Sequence, residues 1–215
     1  MLKVEIFVAL SLFLSLIYFF TFKWQPYKLH WLIKGCSIIF LAAFAFCSFP
    51  NSIALVFTLA LVLCSIGDMF LAYSEEKYFI HGLISFLLSH IVYSFIFIKY
   101  TGNISEHIWE KIILFSVIFV YFSLLTKVLY KKLGNLKIPV FIYMSVLMCM
   151  VMSAILVINF NYTLILGAVL FAISDSIIAI QKFVKSFKGS AYIIWGTYYL
   201  AQLFICSGML FALNH

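Results

Sequence analysis

The sequence predicts an all-α, polytopic membrane protein with eight transmembrane helices. Three observations carry this. Of the 215 residues, 66% are hydrophobic and only 10% charged, where a soluble domain carries about 25% charged residues. The apolar residues gather in eight runs, each near the roughly 20 residues that cross a bilayer core. Short connections of Lys, Pro, Asn and Gly separate the runs, leaving no room for a soluble domain.

Each span has its own marks. Span 1, residues 4–22, follows Lys3. It is longer than a signal-peptide core and lacks a small-x-small cleavage site, so it reads as a retained helix. Span 2, 32–49, carries Lys34 near its start and ends at Pro50-Asn51. Span 3, 52–73, contains Ser-Ile-Gly-Asp-Met-Phe-Leu, with Asp68 at its centre. Span 4, 78–99, carries His81, Ser85, Ser89 and Tyr93 at i+4 steps, with His90 beside them. Span 5, 108–130, has no polar cluster of this kind, and span 6, 138–158, has Tyr143 near its start. The Asn159–Asn161 turn leads into span 7, 162–183, which holds Asp175. Span 8, 190–212, carries Thr197, Tyr198, Tyr199 and Gln202. Residues 1–215 thus read as one eight-helix membrane domain.

All the basic residues are lysines, and they set the orientation. Lys23, Lys28, Lys34, Lys77, Lys127, Lys131, Lys132, Lys137, Lys182, Lys185 and Lys188 fall on one side, against Lys3, Lys99 and Lys111 on the other. The positive-inside rule makes the lysine-rich side cytoplasmic and puts both termini outside. The same placement accounts for the net charge of +7 without a nucleic-acid partner. The five cysteines (Cys36, Cys47, Cys64, Cys149 and Cys206) lie in apolar runs without CxxC or metal spacing, and read as small buried hydrophobes.

Sliding the sequence by half its length sets residues 61–72 on residues 168–179, with Asp68 on Asp175, and Gly82 on Gly189. Four spans per half make the halves 1–107 and 108–215 a candidate parallel repeat. Asp68 and Asp175 are the only aspartates. An Asp at a helix centre costs about 2.5–3.5 kcal/mol on insertion scales, and such residues are functional by default. The bland alternative is a pair of carboxyls that join helices through a shared hydrogen bond.

Asp68 precedes Lys77 by nine residues and Asp175 precedes Lys182 by seven. At 1.5 Å per residue both lie on the order of 10 Å from the cytoplasmic interface. Small residues flank them: Ser65 and Ala72 around the first, Ala168, Ala172, Ser176 and Ala179 around the second. Such spacing permits close helix approach, so the carboxyls are expected to meet. Lys34, Tyr143 and the polar residues of spans 4 and 8 are expected at the same depth, outlining a polar cavity in the cytoplasmic half. Taken singly, each is more ordinarily a helix contact.

The motifs SIGDMFL, HGLISFLLSHIVY, GAVLFAISDSIIA and TYYLAQL, in this order, resemble the lysoplasmalogenase (YhhN-like) family of integral membrane hydrolases. The resemblance extends the eight-helix plan across nearly the whole chain. It implies hydrolysis of the vinyl ether bond of lysoplasmalogens, giving a fatty aldehyde and glycerophosphoethanolamine or glycerophosphocholine. The family's two catalytic aspartates would fall on Asp68 and Asp175. Its Lys-Pro at the start of span 2 appears here as Lys34-Gly35, with the lysine kept and the proline absent.

The chemistry fits these residue types. Vinyl ether hydrolysis begins with protonation of an alkene carbon, and water captures the resulting oxocarbenium ion. One carboxylic acid and one carboxylate suffice, as in glycosidase pairs. No metal ligand cluster, phosphate-binding glycine loop or nucleophile elbow is visible, so no metal or cofactor is expected. Lys34 would pair with the lysophospholipid phosphate. His90, Tyr93, Tyr143, Tyr198, Tyr199 and Gln202 would support the site, several of them by ordering water or the glycerol. The competing class is a small proton- or cation-coupled transporter using the same aspartates. A bacterial inner membrane is the expected host, with the endoplasmic reticulum as the alternative.

Overall fold

The computed structural model describes residues 2–214, with all their side chains except those of residues 2, 3 and 75. The readings that rest on Lys3 lie outside the described side chains. Among the described residues there are eight α-helices. They are α1 (Leu2–Phe20), α2 (His30–Ser48), α3 (Asn51–Tyr73), α4 (Glu75–Lys99), α5 (Ile108–Tyr130), α6 (Lys137–Ile155), α7 (Tyr162–Phe183) and α8 (Ser190–Asn214). Seven of them, α2 to α8, are long and apolar enough to cross a membrane. The chain is a multi-pass membrane protein. In α1 the apolar stretch is Val4–Phe20, about 25 Å of helix against a core of roughly 30 Å.

Helix ends follow the sequence punctuation. Pro50 precedes α3, where its missing N–H costs nothing. Asn161 caps α7, its side chain accepting from the amides of Thr163 and Leu164 at 2.8 and 3.3 Å. Gly189 adopts φ +85° at the start of α8, a conformation that suits a residue without Cβ. Span 6 is shorter than read from the sequence: α6 stops at Ile155. The next residues leave the helix because Ile158 N–H donates to Tyr100 O at 2.9 Å and Leu156 O accepts from Gly102 N–H at 2.9 Å.

The helices form two compact units, residues 1–96 and 97–215. The boundary lies near the end of α4, and residues 100–102 pair with residues 156–158 within the second unit. In the first unit, α2 packs on α1 and α3. Serine hydroxyls then tie α4 to α3 through backbone carbonyls: Ser85 donates to Leu63 O at 2.7 Å and Ser89 to Ala60 O at 2.9 Å. In the second unit, α7 packs on α5, α6 and α8. Small residues set the α7–α8 contact. A Cβ on Gly167 would lie 2.8 Å from Ile205 N, and one on Gly208 would lie 2.5 Å from Leu164 N. Close backbone approach of this kind is how helices associate where lipid supplies no hydrophobic drive.

All five cysteines are free thiols. Cys64 and Cys206 are buried, as read from the sequence, whereas Cys47 and Cys149 are exposed on α2 and α6. In lipid an exposed thiol costs little, since the surroundings are themselves apolar.

Candidate active site

In the first unit the site is built on the α2–α3 contact. Asp68 is buried, 1% exposed, and Lys34 Nζ stands 2.9 Å from its Oδ1. The pair is one rung of three. One turn earlier on α3, Ser65 Oγ donates to Gly35 O at 2.8 Å. One turn later, His30 Nε2 lies 2.7 Å from Ala72 O, while its Nδ1 lies 2.7 Å from Tyr27 O. These contacts fix the register of α2 on α3. Gly35 contributes by what it lacks, since a Cβ there would lie 2.3 Å from Met69 Cε. The glycine that replaces the expected proline therefore makes room for the side chain next to Asp68. The ring of Tyr18, from α1, has its centroid 5.9 Å from the Lys34 ammonium, close enough for a cation–π contribution.

In the second unit the site is built on α6, α7 and α5. Asp175 is 8% exposed and accepts a short hydrogen bond at Oδ2 from the Tyr143 hydroxyl. The next residue, Ser176, donates to Ala172 O at 2.6 Å and accepts from the Tyr121 hydroxyl at 2.7 Å. Ser174 donates to Ile194 O of α8 at 3.0 Å. In each unit, then, the aspartate sits on the third helix and its polar partner comes from the second.

Helix registers give the depths of the remaining candidates. On α3–α4, Gly67 meets Phe86, Ser85 meets Leu63, Ser89 meets Cys64 and Ala60, and Tyr93 meets Phe57 at a ring separation of 5.4 Å. Phe57 precedes Asp68 by eleven residues, so Tyr93 lies about 16 Å further along the axis. The shared depth expected for the polar face of span 4 therefore holds near Gly82 and Ser85, and not for His90 and Tyr93. Both of these are fully buried. On α7–α8, Tyr198 packs edge-on against Phe171 at 5.3 Å, one turn from Asp175. Tyr199 stacks on Trp195 at 5.9 Å. Gln202 is fully buried, one position from Ala201, whose carbonyl faces Gly167. It stands about 12 Å along the axis from Asp175.

Sequence reading missed His30, Tyr18 and Tyr121. His30 precedes Lys34 by one turn, and that spacing was the available signal once α2 is known to begin at residue 30. Tyr18 and Tyr121 carry no signal of their own, because a lone tyrosine in an apolar span is more ordinarily a helix contact. Among the described residues, no group of three or more His, Cys, Asp or Glu side chains is placed to hold a metal ion.

The YhhN family profile matches residues 29–209, which spans α2 to most of α8 and includes both aspartates and every site residue expected from the sequence, but not Tyr18. The chain belongs to the YhhN family. This YhhN chain is 30% identical over 161 residues to a lysoplasmalogenase homolog of Dictyostelium discoideum, covering 62% of the chain and 52% of the relative. It is 31% identical over 155 residues to a lysoplasmalogenase of Mycobacterium bovis, covering 71% and 59%. It is 29% identical over 154 residues to a lysoplasmalogenase of Bos taurus, covering 67% and 61%. The YhhN chain thus spans only about half to three-fifths of the length of these curated relatives. No solved structure matches it significantly.

Proposed function

We propose that this protein hydrolyses the vinyl ether bond of lysoplasmalogens, releasing a fatty aldehyde and a glycerophospho-headgroup, with Asp68 and Asp175 as its acid–base pair. The observation that carries the reading is the state of the two aspartates in a chain of the YhhN family. Both are buried in spanning helices, and both are engaged by a polar residue of the preceding helix. Carboxyls held this way in a membrane are costly features that function explains.

In the reaction, a carboxylic acid delivers its proton to the alkene carbon remote from the ether oxygen. The carbon attached to oxygen becomes an oxocarbenium ion, stabilised by the second carboxyl in its ionised form. Water adds there, and the hemiacetal collapses to aldehyde and alcohol. Tyr143 would orient Asp175 through its hydroxyl. Tyr198, one turn away, would meet the glycerol or the attacking water. His90 and Tyr93 lie further along α4 and would meet the alkenyl chain rather than the headgroup. The cytoplasmic placement of the lysine-rich loops, both termini outside, and the internal repeat belong to the same proposal.

Purified protein in detergent, given lysoplasmenylethanolamine, is expected to release fatty aldehyde without any gradient. Proton- or cation-coupled transport, the competing reading, would show gradient-dependent flux in vesicles and no aldehyde. Failure to release aldehyde from either the ethanolamine or the choline lysolipid would end the hydrolase proposal.

A further inference from the structure

The sequence reading gave Lys34 to the substrate phosphate, yet its ammonium stands 2.9 Å from a carboxylate of its own bundle. The side chain of Asp68 is 2% exposed and that of Lys34 12%. A carboxylate so placed has little water to solvate it, and the ammonium beside it is what offsets the cost of burying its charge. The pair is also held from both sides. Ser65 donates to Gly35 O at 2.8 Å one turn before Asp68, and His30 reaches Ala72 O one turn after it. Neither helix can slide by a turn without breaking several of these contacts.

We infer that Lys34 is a positioning residue for Asp68, holding it as an aimed carboxylate, and that Asp68 is therefore the base and cation stabiliser of the reaction. This rests on the proposed hydrolase function, which needs one carboxylate and one carboxylic acid. With Asp68 as the carboxylate, Asp175 takes the acid's place. The proton balance then closes. Asp175 gives its proton to the alkene carbon, and water adds to the oxocarbenium carbon while its proton passes to Asp68. The hemiacetal hydroxyl proton leaves with the glycerol oxygen as that C–O bond breaks, Asp68 releases its proton to water, and Asp175 takes one up. Lys34 touches none of the reacting atoms and acts only through Asp68.

The test uses Lys34→Met, Lys34→Arg, Asp68→Asn and the double variant Lys34→Met/Asp68→Asn in the full chain. Lys34→Met should lower kcat by about 100-fold or more, the worth of a general base, with KM within about twofold of wild type. Lys34→Arg, which keeps the charge, should recover most of the lost kcat. Infrared spectra at neutral pH provide a readout that needs no turnover. Lys34→Met should gain a protonated-carboxyl carbonyl band that disappears in the double variant. Wild type minus Asp68→Asn should show loss of a carboxylate band and of no protonated-carboxyl band. A raised KM at unchanged kcat would make Lys34 the phosphate anchor and overturn the inference. So would a protonated-carboxyl band lost from wild type in Asp68→Asn, a difference that decides the matter even if Lys34→Met does not fold. Should wild type release no aldehyde, the function falls, and the spectra still decide what Lys34 does to Asp68.

Discussion

Asp68 and Asp175 each lie within a spanning helix, one beside an ammonium and the other beside a phenol. The proposed chemistry asks for two carboxyls in two roles. Asp68→Asn and Asp175→Asn should each lower the rate of aldehyde release by about 100-fold or more while the protein stays folded in detergent. Asn is nearly isosteric and still forms hydrogen bonds, so a carboxyl that merely joins helices would lose only part of its effect. Near-wild-type turnover in either folded variant would remove that residue from the mechanism. The step itself can be labelled. Turnover in D₂O should place one deuterium on the carbon next to the aldehyde and slow the rate about two- to threefold, as befits proton transfer in the limiting transition state. Solvent ¹⁸O should enter the aldehyde, trapped at once by reduction, and not the glycerol hydroxyl. Label on glycerol would mean that the other C–O bond breaks.

At the scale of elements, the α2–α3 rungs make a separate claim. His30→Ala removes two polar contacts at the end of the ladder and should destabilise the protein by about 1–3 kcal/mol, the cost of leaving buried partners unsatisfied. Thermal unfolding in detergent measures this. The same ladder explains what the sequence could and could not tell. Helix positions were legible because an apolar run of bilayer length bounded by Lys, Pro or Asn has few other readings. Asp68 and Asp175 were legible because a carboxyl inside such a run is rare. Depth on α4 was not. Residues four apart share a face, but His81 to Tyr93 climbs about 18 Å, and only the register against α3 says which of them stands level with Asp68. The Lys34–Asp68 contact was hidden for the same reason. Both residues were named, but a single sequence does not give the register of one helix on its neighbour, so Lys34 was assigned to the substrate.

For the whole molecule, the lysine distribution yields a prediction about orientation. Reporters in the connection after Tyr130 should read the cytoplasm, and those fused after the last residue should read the opposite side. Inverted readings would move both aspartates to the other leaflet and with them the headgroup of the substrate. One further consequence concerns how such a chain enters a bilayer at all. The Asn159–Asn161 turn serves both helices that follow it: Asn161 caps α7 and also donates to Gly208 O, while Asn159 donates to Ala212 O. With Gly167 and Gly208 at the crossing, α7 and α8 are joined through their backbones. During synthesis α7 need not partition into lipid as a solitary segment bearing a carboxyl at its middle. It can wait at the translocon and enter together with α8 as a single hairpin. A nascent chain halted before Ser190 should therefore integrate its seventh segment in a smaller fraction of molecules than the full chain does, as a glycosylation-site reporter placed after α7, modified only when that segment fails to stop in the membrane, would record.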